Sequence, residues 1–158
     1  PGLSARRGTA TATRQQIAAA LPDGAALLEF VALDAGRFAV FVVDRGPGGR
    51  ARLTLHRLDV AGAALARQIR ALREACAKPG RPWQAPARAL HRTLLEPVAA
   101  RLRGKTQLVV CPDHALWDVP FGVLLDGSGT PLLERHALSG ANSATTWHAA
   151  KAGRKPPS

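Results

Sequence analysis

Two runs, AALLEFVAL at 25–33 and RFAVFVVD at 37–44, carry apolar residues at odd and even positions alike. Successive side chains of a strand point to opposite faces, so strands of this kind have to be covered on both sides. That requirement excludes a sheet with one wet face and calls for packed layers above and below it. A third run, 52–58, alternates more strictly and reads as a strand with one solvated face. Asp34-Ala-Gly36 and Gly46-Pro-Gly-Gly49 are turn sequences, so residues 25–58 predict an antiparallel meander of three strands.

Helices follow. Across 60–77, Leu65, Ile69, Leu72 and Cys76 form one apolar stripe at helical spacing, while Arg67, Arg70 and Glu74 line another face. On that stripe Cys76 reads as a small core residue. Lys78-Pro-Gly-Arg-Pro82 ends the helix. Across 87–102 the stripe is Leu90, Leu94, Val98 and Leu102, and Pro97 inside it predicts a kink near Thr93. Gln107-Leu-Val-Val-Cys111, a short apolar run straight after a helix, predicts the central parallel strand of an α/β sheet. Beyond it the pattern predicts a helical turn at 123–125, a turn at Gly127-Ser-Gly129 and a strand within 132–138. A last helix towards Ala150 is capped by Asn142 or Ser143. A short helix at 15–21 precedes the sheet, stopped by Pro22-Asp-Gly24.

A chain of 158 residues, 46% hydrophobic and 21% charged, makes one globular domain rather than a disordered or disulfide-stapled one. Two cysteines, Cys76 and Cys111, and no apolar segment behind a basic N-terminus point to a reducing, cytoplasmic setting. No uncharged apolar run approaches the ~18–20 residues of a membrane helix, so no membrane partner is expected. The formal charge of +11 is unevenly placed. Arg6, Arg7, Arg14, Lys151, Arg154 and Lys155 sit in two segments without periodicity, 1–14 and 151–158, which read as basic tails or linkers around a folded part at 15–150. Without those six, 16 basic residues face 11 acidic ones, a solvated surface rather than a nucleic-acid footprint.

Residues capable of chemistry are few. Gly46-Pro-Gly-Gly49 lacks the Gly-Lys-Ser/Thr of a phosphate loop and precedes no helix. Gly127-Ser128-Gly129 is not the elbow that presents a serine nucleophile. Cys111, His114 and His136 are scattered metal donors with no paired second element. His56 lies 55 residues before Cys111, near the spacing of caspase dyads, but inside an alternating strand, and Cys111 is followed by Pro112-Asp113 rather than a glycine turn. The residues therefore offer no catalytic, cofactor or metal site, and no cofactor is expected.

The order of segments is more specific than any of these. The opening Leu21-Pro-Asp-Gly24 with the strand to Phe30, the hairpin at 38–43 and the helix ending Leu94-Leu-Glu-Pro97 come first. The strand Leu108-Val-Val-Cys-Pro-Asp113, Leu116-x-x-x-Pro-Phe-x-x-Leu124, Leu132-Leu-Glu134 and Asn142-Ser143 follow. Together they resemble the CHAT domain, the caspase-like domain found beside TPR repeats, over about residues 15–150. His114 stands where that family usually has glycine.

The resemblance implies an α/β caspase-like mixed sheet flanked by helices, with the meander at its N-terminal side and an incomplete C-terminal side. In the peptidases of the family the catalytic histidine and cysteine come after the segment aligned with 142–150. The resemblance thus implies a non-catalytic N-terminal portion of a cysteine peptidase, a scaffold whose partners are TPR-type repeats upstream and a catalytic half downstream or in trans. The remaining parallel strands are expected beside Gln107–Cys111. The alternative is an arginine-rich module for nucleic acid or an acidic partner. Single-strand binders stack bases on exposed aromatics, and three of the seven aromatics, Phe30, Phe38 and Phe41, lie in the apolar strands.

Overall fold

Covering the two-sided strands is what organises the chain. The structure, a computed structural model, describes residues 11–153. The outer parts of the two basic segments, 1–10 and 154–158, lie outside the described residues. Helix α1 (Arg14–Ala20) opens with a reciprocal cap. Thr13 Oγ1 accepts from Gln16 N–H, and Gln16 Oε1 accepts from Thr13 N–H. Strands β1 (Ala25–Leu33), β2 (Arg37–Arg45) and β3 (Ala51–Leu58) form the expected antiparallel meander, with Leu27 opposite Val43 and Val43 opposite Leu53. Helices α2 (Gly62–Ala77), α3 (Gln84–Leu94) and α4 (Ala99–Leu102) cross over the sheet to β4 (Gln107–Cys111). A short α5 (Leu132–Arg135), β5 (Ala137–Gly140) and α6 (Ala144–Ala152) complete the fold.

The five strands lie in the order β3-β2-β1-β4-β5, with β4 parallel to both β1 and β5. The sheet is thus mixed and flanked by helices, as the caspase-like resemblance implied. Strand β4 is the middle one of the three parallel strands, as its continuous apolar run required, and Leu108 to Cys111 are all buried.

Each face has its own core. Even-numbered residues of β1 and β2, among them Leu28, Phe30, Val40 and Val42, pack with Leu65, Ile69 and Leu72 of α2 and Leu90 and Leu94 of α3. Leu27, Val43, Val109 and Cys111 on the other face pack with Ile17 and Ala18 of α1 and Ala144 and Trp147 of α6. Helix α6 finds its packing surface on α1 and the sheet.

Four local expectations change. The 87–102 segment is broken rather than kinked. Proline has no N–H to donate, so α3 stops at Leu94, a 3-10 turn spans Glu96–Val98, and α4 restarts at Ala99. The 132–138 segment is helix α5 followed by β5, because the edge position beside β4 takes only four residues. The strands expected beside β4 cannot lie there, since β1 and β5 hold both of its flanks. Cys76 is exposed, and Ala75 takes the buried place in the last turn of α2. The helices also reach into the segments read as tails, since α1 begins at Arg14 and α6 runs to Ala152.

Candidate functional site

Ligands of open α/β sheets bind beyond the carboxyl ends of the parallel strands, where loops diverge. In this chain that place is built by Asp113 and His114. Asp113 ends β4 and reaches across to β1, where its Oδ2 accepts from Ala32 N–H at 2.9 Å. Its Oδ1 accepts from His114 N–H at 2.9 Å and lies 2.9 Å from His114 Nδ1. The Ala32 bond, assisted by His114, holds the Asp113 carboxyl below its ordinary value against the opposing effect of burial. His114 adopts φ +47°, the left-handed region that favours glycine. The 3-10 turn that follows, His114–Asp118, lays Leu116 into the core and leaves Trp117 half exposed.

A carboxylate beside an imidazole is the orienting half of a general-base device, and it needs a nucleophile within reach. Cys111 does not supply one. It is buried, and burial, with the charge of Glu29, pushes its thiol up to about 12. His56 does not activate it either. Strands β3 and β4 are separated by β2 and β1, about 14 Å at the usual strand spacing. His56 also lies on the α2 face, opposite the face of Cys111, and pairs with Thr54 Oγ1 at 3.1 Å. The structure therefore separates the residues whose spacing suggested a dyad.

The three scattered metal donors are separated as well. Cys111 is in the core under α6, His114 is on the exposed turn, and His136 lines a cavity of about 590 Å³ with His91, Lys105 and Asp126. Burial lowers the pKa of His91 and of His136, so both imidazoles favour the neutral form. Asp126, which burial would raise, is held at about 2 by Ser128, the Thr130 N–H and Arg135. These bonds close the 126–130 turn, so Gly127-Ser128-Gly129 is a structural loop. Among the described residues no group of three or more His, Cys, Asp or Glu side chains is placed to hold a metal. Gly46-Pro-Gly-Gly49 is a hairpin turn, with Gly46 N–H donating to Arg50 C=O at 2.8 Å.

Sequence reasoning missed the ionic cluster around Asp44. That carboxylate is fully buried and receives Arg52 Nε at 3.0 Å and Nη2 at 2.8 Å, Arg101 Nη2 at 2.7 Å and Lys105 Nζ at 2.9 Å. Burial raises its pKa, but the bonds from Arg52 and Lys105 and the charges of Lys105 and Arg101 outweigh that and lower it. The one available signal was Asp44 closing an otherwise apolar run. The cluster ties β2 and β3 to the α4–β4 connection and leaves the carboxylate no free lone pair for a substrate, so its role is structural.

No curated protein matches the chain. A family model does, that of the CHAT domain, over residues 84–158, just under half of the chain. The match covers α3 to α6 and the Pro112-Asp113 and Pro120-Phe121 stretches, whereas the Leu21-Pro-Asp opening and the β1–β2 hairpin lie outside it. With a CHAT match from Gln84 onward and a five-stranded mixed sheet that this segment helps to build, the chain resembles the N-terminal part of a CHAT domain.

Proposed function

We propose that the chain is the non-catalytic portion of a CHAT-like caspase-fold cysteine peptidase and acts as the scaffold on which a catalytic half assembles. The observation that carries this reading is the edge of β5, which among the described residues pairs with no further strand. Ala137 N–H donates to Thr106 C=O and Ala141 N–H to Val110 C=O, so the alternate residues Leu138 and Gly140 turn their backbone groups outward. An unpaired edge invites another strand. The separation of His56 from Cys111 and the raised thiol of Cys111 support a non-catalytic role for these residues. Of the seven aromatics that could stack bases, only Trp117 is exposed, Phe41 and Trp83 are partly buried, and Phe30, Phe38, Phe121 and Trp147 are buried.

Co-expression with a CHAT-family segment bearing the histidine and cysteine strands tests the reading. Binding to the folded state alone raises the thermal midpoint by mass action and slows amide exchange at Leu138 and Gly140. A monomer whose midpoint and β5 exchange stay unchanged in the presence of that segment would defeat the proposal.

A further inference from the structure

The apolar stripe of α2 outruns its cover. Leu65, Ile69 and Leu72 are buried in the core, but Cys76, in line with them, is exposed. Beside it a groove of about 900 Å³ runs between α2 and the segment 115–120. Ala66, Ile69 and Ala77 form one wall, and Trp117, Val119 and Pro120 the other. Trp117 is 53% exposed, and among the described residues no other aromatic side chain is as open. A second hollow of about 330 Å³ continues past Cys76 to Pro79 and Trp83.

The rim is basic. Arg73 pairs with Asp118 at 3.2 Å and Arg81 lies 3.9 Å from Glu74, which matches both acids of the groove. Arg70 and Lys78 line the two hollows and have no ion-pair partner among the described residues. We propose that this groove docks an acidic peptide segment with an apolar anchor: the anchor packs between Trp117 and Ile69, and carboxylates meet Arg70 and Lys78. Tryptophan and arginine are enriched among the side chains that dominate binding energy, and complementary charge selects the partner. The charge also decides against the nearer occupants. The end segments 1–14 and 151–158 contain six basic and no acidic residues, and a second copy brings +11.

The test uses the whole chain and two synthetic amphipathic peptides, each with leucine at helical spacing and either glutamate or lysine elsewhere. Cys76 reports occupancy through its rate of alkylation, and peptide fluorescence anisotropy reports affinity. The glutamate peptide is expected to slow alkylation of Cys76 and to bind about ten-fold more weakly to Trp117→Ala and to Arg70→Glu. Leu55→Ser, on the distant β3 face, is expected to leave binding unchanged. Equal binding of the lysine peptide, equal weakening by Leu55→Ser, or binding of neither peptide overturns the proposal. So does protection of Cys76 that grows with protein concentration alone, which would assign the groove to a second copy.

Discussion

Asp113 Oδ2 accepts the backbone N–H of Ala32 at 2.9 Å across 81 residues of sequence, so one carboxylate at the end of β4 also closes the end of its parallel neighbour β1. A charged acceptor on a backbone donor is stronger than a neutral one, and losing it leaves the donor without its partner.

Asp113→Ala is expected to cost about 1–2 kcal/mol at neutral pH, the charged hydrogen-bond range reduced for a partly exposed side chain. The folded-state pKa is depressed, so the contribution is present above the unfolded value of ~3.9 and is lost as pH falls through the folded value. Urea unfolding of both proteins should therefore show a gap that is constant near pH 7 and shrinks in acid. A gap that widens in acid would contradict the assignment.

His114 occupies the left-handed region without being glycine. His114→Gly removes a backbone strain of about 1–2 kcal/mol but gives up the Nδ1 contact with Asp113. The glycine variant is expected to match or exceed the parent in stability, and His114→Ala to fall about 1 kcal/mol below the glycine variant. Denaturant midpoints for the three proteins settle the order.

Asp44 meets three cations with no exposed surface of its own. Asp44→Asn leaves those cations facing a neutral group, with an expected loss of about 3–5 kcal/mol. Arg52→Met, which leaves Arg101 and Lys105 in place, is expected to cost less. Thermal midpoints measured at neutral pH give the comparison, and an Asp44→Asn protein as stable as the parent would show that the cluster contributes nothing.

The two thiols are expected to differ in access. Cys76 is open to solvent, whereas Cys111 is buried with its thiol pushed up to about 12. Mass spectrometry after iodoacetamide treatment at pH 8 should find the label on Cys76 in the native chain and on both cysteines in denaturant. Native labelling of Cys111 would place it outside the core.

Much of the architecture was legible because side-chain period is a local property. The apolar runs within 25–58 and the turn sequences between them specified the meander. Gln107–Cys111, apolar at consecutive positions, specified a strand covered on both faces, and Ser143 marked the start of α6 by its capping hydroxyl. Pro97 announced a defect in the helix, but its severity depended on Leu95, just before the 3-10 turn, and Val98, at its end, being drawn into the core.

What periodicity alone could not supply was the partner of each face. Cys76 shares its stripe with Leu65, Ile69 and Leu72, and local sequence carries no record of where the opposing layer ends. The same limit hid the Asp44 cluster, whose cations come from β3, α4 and the connection to β4, and the capping of Ala32 by Asp113. The sequence by itself specified the meander, the helices of 60–77 and 144–152 and the strand at Gln107–Cys111, and its order of segments carried the family resemblance that the match from Gln84 onward supports. Only the tertiary structure decided that β5 takes the flank of β4, that His56 and Cys111 stand on opposite faces, and that α6 packs against α1. Burial and pairing arise between segments distant in the chain, and a helix or strand period fixes the face a residue occupies without fixing what lies across from it.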